Sequence, residues 1–353
     1  MNKQKVAMIT GVSGQDGSYL ADLLLDKGYF VVGLKRRTSS INTCRIDHII
    51  NNPEMNKNFK MHYYDLMDGT SIVRLLQEYQ PDEFYNLAAQ SHVGVSFDLA
   101  QYTSDGIAMG AIKIMDGIRL VSPHTKFYQA SSSEMFGDSK DFGENGFTED
   151  SKMCPVSPYA AAKLYAHHSV RIYRNAYNLY ASSGILFNHE SPRRGETFVT
   201  RKITIAAAKI KAGLQDKLFL GNLDAVRDWG FAGDYVRAMW LMLQQDIADD
   251  YIVATQQTHS VRDFLKIVFE HADLGDYNKY VEIDPRLFRP NEVPYLLGNP
   301  TKAKTVLGWQ TEYDMQRLAK LMFDKDYENV KSDPQKISSE LGSEYLTFIN
   351  NLV

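Results

Sequence analysis

The chain has 353 residues, of which 44% are hydrophobic and 23% charged, and its net charge at pH 7 is −4. This composition is typical of a globular protein with a large core, and the charge provides no general attraction to nucleic acid or an anionic membrane. No apolar run approaches the ~20 residues that a membrane span needs. Cys44 and Cys154 form no Cys-x-x-Cys pair, which favours a reducing cytoplasm over a disulfide framework. The nine histidines show no metal-ligand spacing, so we expect no metal site.

The first half of the chain alternates between short apolar runs and helical patterns. Strand and helix in regular alternation predict an α/β fold, a Rossmann-like doubly wound parallel sheet with right-handed crossovers. The predicted strands are residues 6–9, 30–34, 60–64, 83–87, 126–130 and 181–186. The predicted helices are residues 18–27, 70–79, 105–120 and 157–177.

After residue 187 the rhythm loosens, and basic, glycine and proline residues cluster. Residues 251–254 have a strand-like pattern and are expected to return to the first sheet. We therefore predict a dinucleotide-binding domain over 1–187, with returning segments near 227–258, and a smaller C-terminal α/β substrate-binding domain over 188–353. Helices are expected near 199–213, 234–245, 261–271 and 313–324.

A glycine-rich turn joins the first predicted strand to the first predicted helix. Its sequence is Gly11-Val-Ser-Gly14-Gln-Asp-Gly17. Glycines let the backbone approach a pyrophosphate, and the N-terminus of the following helix supplies N–H groups and partial positive charge. Because the flanking elements match that context, we predict a dinucleotide site here. Its expected contacts are Gly11, Ser13, Gly14, Gln15, Asp16 and Gly17.

The residues after the second strand indicate which dinucleotide binds. NAD sites usually carry an acidic residue there for the ribose hydroxyls, whereas this chain has Lys35-Arg-Arg-Thr-Ser-Ser40. Arginine suits a phosphate through its planar fork, so Arg36, Arg37 and Ser39 predict NADP. Residues after the third and fourth strands are also expected to contact the cofactor. They are Asp65, Leu66, Leu87, Ala88, Ala89, Gln90 and Ser91.

The catalytic candidates follow the fifth strand. Tyr159 and Lys163 are spaced i, i+4 and share one helical face; a nearby ammonium is expected to lower the pKa of the tyrosine, making it a base for a sugar hydroxyl. Ser132 and Ser133 leave the carboxyl end of the strand, where a hydroxyl can polarise a reacting oxygen. Glu134 adds a second base, suited to removing a proton from carbon beside a new ketone. That combination predicts an internal redox dehydration of a sugar.

Longer stretches carry a family pattern. They are Ile9-Thr-Gly-Val-Ser-Gly-Gln-Asp-Gly-Ser-Tyr19, Arg36-Arg-Thr-Ser-Ser40, Ser157-Pro-Tyr-Ala-Ala-Ala-Lys-Leu-Tyr165, Gly184-Ile-Leu-Phe-Asn-His-Glu-Ser-Pro-Arg-Arg-Gly195, Phe198-Val-Thr-Arg-Lys202, Arg227-Asp-Trp-Gly230 and Arg289-Pro-Asn-Glu292. Together they resemble the extended short-chain dehydrogenases/reductases, and specifically the GDP-mannose 4,6-dehydratase family. The similarity covers most of the chain, and the block ending at Gly195 is the most specific part of it.

The resemblance implies a lyase that converts GDP-mannose to GDP-4-keto-6-deoxymannose. In this chemistry C4 is oxidised with Tyr159 as base, water is eliminated across C5/C6 with Glu134 as base, and C6 is reduced while NADP is recycled. The loop from Arg36 to Arg45 is implied to lie at a neighbouring subunit, in a tetramer. Further implied cofactor contacts are Tyr102, His189 and Arg194. Implied GDP-sugar contacts are Asn188, Val199, Lys202, Gly221, Arg227, Arg289 and Glu292.

Two positions depart from the family pattern; Ser132 keeps the hydroxyl that its role needs, and the second departure leaves the sugar open. Ser132 stands where the family usually has threonine, and Cys154-Pro-Val-Ser157 stands where it commonly has Tyr-Pro-Arg-Ser. The second departure lies just before Tyr159, so the same reaction on GDP-D-glycero-manno-heptose is a competing hypothesis, decided by pocket volume. A GDP-sugar epimerase/reductase and a non-catalytic NADP-binding sensor are two more competing hypotheses. Glu134 argues against the reductase, and the intact catalytic residues argue against the sensor.

Overall fold

The computed structural model describes residues 3–288, 291, 293 and 295–333. Arg289 and Glu292, both predicted to contact the substrate, lie outside the described residues. Within that part of the chain, no helix has both the length and the apolar character required to cross a membrane.

The strands form one large sheet and three small ones. The large sheet has the order β11-β6-β5-β4-β1-β2-β3, and all its strands are parallel. The strands are β1 (Val6–Thr10), β2 (Phe30–Lys35), β3 (Phe59–Tyr63), β4 (Glu83–Asn86), β5 (Lys126–Ser132), β6 (Ala181–Leu186), β7 (Asn188–Glu190), β8 (Leu218–Leu220), β9 (Val226–Arg227), β10 (Trp229–Phe231), β11 (Asp250–Val253), β12 (His259–Ser260) and β13 (Val281–Ile283).

The order of the strands defines where a ligand can bind. The chain runs outward from β1 through β2 to β3, then returns to place β4 on the other side of β1. In open α/β sheets the crevice at such a reversal, at the carboxyl ends of the strands, holds the ligand. The predicted doubly wound parallel sheet is confirmed, and the strand-like segment near 251–254 is β11, paired with β6.

Helices connect and cover these strands. Short 3₁₀ turns occur at Ser133–Met135, Tyr277–Lys279 and Pro285–Leu287, and a π-helical turn, Asp105–Met109, precedes the seventh helix. The α-helices are α1 (Gln15–Asp26), α2 (Asp47–Ile50), α3 (Pro53–Asn56), α4 (Gly69–Tyr79), α5 (Val95–Asp98), α6 (Ala100–Ser104), α7 (Gly110–Val121), α8 (Pro158–Tyr177), α9 (Val199–Lys211), α10 (Ala232–Leu243), α11 (Val261–His271), α12 (Thr301–Leu307) and α13 (Met315–Ser332).

The large sheet is buried on both faces, as parallel sheets are. Because strand side chains alternate, Ala7 and Ile9 pack beneath α1 and α10, whereas Met8 and Val32 pack beneath α4, α7 and α8. The burial explains why the strands are apolar runs and not alternating patterns.

A second apolar cluster lies outside the sheet. Helices α9, α11 and α13 pack together there with β8. Helix α13 runs to Ser332, eight residues beyond the predicted end at 324, and its N-cap is Asp314, whose side chain accepts from the N–H of Arg317. The division into a cofactor domain and a substrate domain stays a prediction. Helix α10 packs on the large sheet and β11 pairs within it, although both follow residue 188.

Asp228 joins the smaller cluster to the end of the large sheet. Its side chain is buried completely. One carboxylate oxygen accepts from the N–H (2.8 Å) and hydroxyl (2.6 Å) of Thr255, and the other from the N–H of Gln256 (2.9 Å). The N–H of Gly298 is a further donor. Burial raises the pKa of the carboxyl to about 6, in spite of these hydrogen bonds, so at pH 8 the group is an ionised acceptor for four donors.

We therefore expect Asp228→Asn to lower the free energy of unfolding at pH 8 by about 3 kcal/mol, because the amide group would face N–H donors. Asp224→Asn is the matched control: Asp224 pairs with Arg262 at the surface, with 76% of its side chain exposed, so its loss should cost less than about 0.5 kcal/mol. Urea denaturation measures both. Equal losses would contradict the structural role assigned to Asp228.

Candidate active site

Polar side chains interlock the carboxyl ends of β1, β4 and β5. Thr10 Oγ1 donates to Asn86 Oδ1 (2.8 Å) and accepts from the N–H groups of Leu87 (3.0 Å) and Ala88 (3.1 Å). Asn86 Nδ2 donates to Gln129 Oε1 (2.8 Å) on the next strand. The backbone after β4, where cofactor contacts are predicted, is therefore held against β1.

The glycine turn between β1 and α1 is shaped by two close approaches. Gly11 has φ +70°, and a Cβ there would lie 3.1 Å from the backbone of Ala88. A Cβ on Gly17 would lie 2.2 Å from the carbonyl oxygen of Gly11, so only glycine fits. The turn brings the N-terminus of α1 to the crevice, in the arrangement that binds phosphate.

The first turn of α1 is joined to the segment at β7. Asp16 Oδ2 lies 2.9 Å from His189 Nε2, and the other ring nitrogen of His189 lies 2.8 Å from the carbonyl oxygen of Phe187. Gln15 donates to the carbonyl of His189 (3.1 Å) and accepts from the hydroxyl of Ser191 (2.8 Å). Gln15 and Asp16 thus position the β7 segment as well as border the cofactor crevice.

The ionisation of this pair follows from its geometry. Burial disfavours both charges, but the charge and hydrogen bond of the partner outweigh it. They lower the pKa of Asp16 to about 2 and raise the pKa of His189 above its ordinary value. At neutral pH Asp16 is ionised, and the imidazole keeps a proton more readily than a free histidine does.

Tyr159 lies in the first turn of α8. Ser157 is the N-cap, its hydroxyl accepting from the N–H of Ala160 (3.1 Å), and Pro158 occupies the first helical position. The N–H of Tyr159 donates to the hydroxyl of Ser96 (3.2 Å). Capping and the fixed φ of proline start the helix at this point, which places the tyrosine at the crevice.

The predicted catalytic residues lie together. Lys163 is 4% exposed, and its ammonium donates to the carbonyl of Ala130 in β5 (2.7 Å). The same nitrogen lies 5.8 Å from the centre of the Tyr159 ring. Tyr159 is 8% exposed and hydrogen-bonds to the Ser132 side chain. The i, i+4 pair therefore faces the end of β5, as the spacing predicted.

The predicted lowering of the tyrosine pKa is wrong for the protein alone. Burial raises the pKa of Tyr159 to about 12, although the hydrogen bond to Ser132 opposes the rise. Burial also lowers the pKa of Lys163 to about 8, with only the charge of Asp16 opposing it. The ammonium of Lys163 donates to the carbonyl of Ala130, and Lys163 is not among the groups that lower the pKa of Tyr159.

Glu134 leaves the same strand end as Ser132. It lies in the 3₁₀ turn Ser133–Met135, its side chain is 8% exposed, and its N–H donates to the hydroxyl of Ser132 (3.3 Å). The charge of Glu134 contributes to the raised pKa of Tyr159, which places the two groups within electrostatic reach. One site thus contains a phenol, a hydroxyl and a carboxylate.

The basic segment after β2 is held by two tyrosines. Arg36 donates to the hydroxyl of Tyr102. Arg37 donates to the hydroxyl of Tyr63 (3.0 Å) and stacks 5.0 Å over that ring. Arg36, Arg37 and Ser39 are all exposed. The segment presents positive charge and hydroxyl groups at the end of β2.

The other predicted cofactor residues follow β3 and β4. Asp65 accepts from the N–H two residues later, and Leu66 packs on the apolar cluster of α4 and α7. Ala89 packs on the cluster that contains Tyr159. Gln90 Oε1 is buried and has no hydrogen-bond partner among the described residues, and Ser91 is exposed.

The predicted substrate residues that the structure describes lie on the elements after β6. Asn188 begins β7, Val199 and Lys202 lie in the first turn of α9, Gly221 follows β8, and Arg227 ends β9. Burial lowers the pKa of Lys202 to about 8. These residues lie on separate elements beyond the large sheet. Their spacing in the sequence alone did not predict that they belong to one site.

The crevice suits a dinucleotide. Arg194 Nε is buried and lies 3.1 Å from a carboxylate oxygen of Glu190, yet it makes no hydrogen bond within the described part of the chain. Its guanidinium lies 3.7 Å from the centre of the Phe198 ring. A half-buried arginine whose buried Nε has no hydrogen bond to any described residue, together with a backbone turn that accepts no side chain at Gly17, fits the donor set that a pyrophosphate requires.

This fold and this Tyr159–Lys163 arrangement define an extended short-chain dehydrogenase/reductase. The chain matches the model of the GDP-mannose 4,6 dehydratase family over residues 8–322. It is 52% identical over 345 residues to GDP-mannose 4,6 dehydratase 1 of Arabidopsis thaliana, covering 96% of this chain and 94% of that protein. It is 50% identical over 356 residues to the GDP-mannose 4,6-dehydratase of Sinorhizobium fredii, covering 95% of this chain and 100% of that protein. The chain belongs to the GDP-mannose 4,6-dehydratase family.

A solved structure gives the same fold. The UDP-glucose 4-epimerase of Thermus thermophilus, in complex with NAD, superposes with a TM-score of 0.77 at 26% identity, covering 91% of this chain and 98% of that one. The agreement covers most of both chains, and it confirms the predicted fold class.

Sequence reasoning missed several residues that build the site. Thr10 directly precedes the glycine turn, and that adjacency was a usable signal. Ser96, which accepts from the N–H of Tyr159, and Glu190, which lies beside Arg194, have no such signal. Ser96 is 63 residues from its partner, and Glu190 is one polar residue within a recognised block.

The Asp16–His189 pair gives a pH-dependent prediction. Because the pKa of Asp16 is lowered in the folded protein, its carboxylate stabilises the fold at any pH above 3.8, the ordinary pKa of the group. This stabilisation is lost as the pH falls through about 2. We expect Asp16→Asn to reduce the unfolding free energy at pH 6 by about 2 kcal/mol, and this gap to narrow below pH 4. The raised pKa of His189 adds stability that is present below 6.5 and lost as the pH rises through its folded-state pKa. Denaturant unfolding of the wild type and of Asp16→Asn between pH 2 and pH 8 tests this prediction. A difference in unfolding free energy that does not change with pH would contradict it.

Proposed function

We propose that this protein is an NADP-dependent GDP-mannose 4,6-dehydratase, a hydro-lyase that forms GDP-4-keto-6-deoxymannose. The reaction class is that of its family, and the observation that carries it is the juxtaposition of Glu134 with Tyr159 and Ser132 at the end of β5. An alcohol dehydrogenase needs one base for a hydroxyl. A dehydratase needs a second group for a proton on carbon and for the leaving hydroxyl.

The residues divide the proton transfers between them. Burial raises the pKa of Tyr159 to about 12 in the protein alone, so the positive charge of an oxidised nicotinamide, when bound, would have to favour the phenolate. In that form Tyr159 Oη takes the proton of the C4 hydroxyl, while Ser132 holds the same oxygen through its hydroxyl. Once C4 is a ketone, the C5 proton is acidified and the Glu134 carboxylate removes it. Glu134 or a neighbouring serine then returns a proton to the hydroxyl that leaves C6. When bound, the nicotinamide supplies hydride transfer, from C4 and back to C6. The proton that Tyr159 took from the C4 hydroxyl then returns to C5, directly or through Glu134, so that both groups regain their starting forms.

A nicotinamide dinucleotide is the cofactor class that the fold and its relatives support, and we propose NADP within that class. Arg36 and Arg37 stand after β2, each oriented by a tyrosine hydroxyl, where an NAD site usually has an acidic residue. Paired guanidinium groups bind a ribose phosphate through charge-assisted hydrogen bonds. His189 and Arg194 are proposed to contact the same cofactor from the β7 side.

Assembly and location are further parts of the proposal. We propose a tetramer in which the loop from Arg36 to Arg45 meets a neighbouring subunit; the exposed side chain of Ile41 on this loop supports a contact there. We also propose a cytoplasmic location. Cys44 and Cys154 are both free, which fits a reducing compartment.

The sugar is proposed to be mannose. Val156, in the segment that departs from the family pattern, packs against the apolar cluster of Met135 and Phe136. Its side chain is therefore partly used in packing, and the choice of mannose rests on the substrate of the family. Turnover of GDP-D-glycero-manno-heptose at a higher rate than GDP-mannose would reverse this assignment. Net consumption of NADPH would favour the epimerase/reductase hypothesis. Binding of NADP without any turnover would favour the hypothesis of a non-catalytic sensor.

Glu134→Gln tests the dehydratase chemistry. We expect product formation to fall about 10²- to 10⁴-fold, because the base for carbon is lost. Oxidation at C4 should persist in this variant, and a single turnover should show it as the absorbance of the reduced nicotinamide. Deuterium from the solvent should not enter C5. Tyr159→Phe should abolish both signals.

The control for this experiment is Glu144→Gln, which removes a carboxylate on the exposed loop after the same turn and should leave turnover unchanged. Deuterium incorporation at the wild-type rate in Glu134→Gln would remove Glu134 from the proposed mechanism.

Arg37→Ala tests the cofactor preference. Loss of a charge-assisted hydrogen bond to a phosphate should raise the Kd for NADP about 10- to 100-fold and leave the Kd for NAD unchanged. Arg74→Ala is the control, because Arg74 is an exposed arginine paired with Glu78 on α4. Calorimetric titration measures each Kd, and an equal change for both dinucleotides would contradict the assignment.

A further inference from the structure

A buried arginine that is not among the predicted site residues holds the loop that carries Arg194. Arg201 lies in the first turn of α9 and is 8% exposed. Its Nε lies 3.0 and 2.9 Å from the two carboxylate oxygens of Asp326, and its Nη2 lies 2.6 Å from one of them. Asp326 belongs to α13 and is 1% exposed. Thr204 donates to the same carboxylate (2.7 Å).

The remaining nitrogen of Arg201 reaches the loop after β7. Its Nη1 donates to the carbonyl oxygen of Pro192 and to that of Arg194 (3.2 Å). The same loop is closed by a hydrogen bond from the N–H of Arg194 to the carbonyl of Ser191 (3.0 Å). One guanidinium therefore fixes two carbonyls on either side of Arg193.

The Arg194 side chain is held from the same helix. Thr200, next to Arg201, donates to the carboxylate of Glu190 (2.5 Å), and that carboxylate lies 3.1 Å from Arg194 Nε. The first turn of α9 thus controls both the backbone and the side chain of Arg194. Buried ion pairs contribute little net stability relative to apolar residues, so a structural purpose alone does not account for this network.

We propose that Arg201 is a positioning residue that presents Arg194 to the phosphates of the dinucleotide, and that Asp326 orients Arg201. This rests on the proposed function only in taking Arg194 as a cofactor contact. The planar fork of arginine is needed, because a lysine ammonium is a single point of charge and does not bind a carboxylate in two places while reaching two carbonyls.

The test is fluorescence titration of the cofactor-free protein with NADPH. We expect Arg201→Lys to raise the Kd for NADPH about tenfold and to leave the Kd for GDP within about twofold of the wild-type value. Arg237→Lys is the matched control: Arg237 also pairs with two carboxylates, Asp234 and Glu312, and donates to a carbonyl, but away from the cofactor loop. It should leave both constants unchanged.

A double-mutant cycle separates positioning from general stability. Arg194→Gln should raise the Kd for NADPH by itself, and adding Arg201→Lys should change it little further, because the residue being positioned is already gone. The proposal would be overturned if the two substitutions together raised the Kd for NADPH by the product of their separate effects. It would also be overturned if folded Arg201→Lys bound NADPH with the wild-type Kd. If Arg201→Lys does not fold, Asp326→Asn replaces it, and an unchanged Kd in that variant is equally contrary.

The outcomes also distinguish this proposal from the proposed function. Wild-type protein that does not bind NADPH overturns the cofactor assignment and this positioning role together. Wild-type protein that binds NADPH without dehydrating a GDP-sugar contradicts only the reaction, and the titrations still decide the role of Arg201.

Discussion

The hydrogen bond from Lys163 to the carbonyl of Ala130 is the constraint on which the catalytic geometry depends. It fixes α8 to the carboxyl end of β5. Tyr159 lies one helical turn before Lys163, while Ser132 and Glu134 lie two and four residues after Ala130. A buried ammonium without an acceptor would be costly, so the bond is maintained, and it sets the distance between the two proposed bases, Tyr159 and Glu134.

A second set of contacts joins the sheet to the elements that follow it. Asp16 binds His189, Gln15 binds the same segment, and the first turn of α9 holds the loop of Arg194. The cofactor crevice is therefore bordered by residues from distant parts of the chain, already placed relative to one another. This preorganisation matters for a reaction that oxidises, eliminates and reduces within one site, because each step needs a different side chain near the same sugar.

Much of the architecture followed from the sequence, because it rests on local patterns. Apolar runs located the strands of the large sheet, and the glycines at 11 and 17 located the phosphate turn through a steric requirement. The i, i+4 spacing placed Tyr159 and Lys163 on one face. The pKa of Tyr159 did not follow, because burial and the orientation of Lys163 toward Ala130 decide it. The partners of Arg201 did not follow either, because Asp326 is 125 residues away.

The most direct test of the central claim is the mass of the product that purified protein forms from GDP-mannose without added reductant. The account predicts loss of one water from the sugar nucleotide, with no net change in NADPH, since the hydride taken from C4 is returned to C6. An unchanged mass, or turnover that requires stoichiometric NADPH, would contradict it. Because the measurement follows atoms and electrons together, it separates dehydration from net reduction in a single experiment.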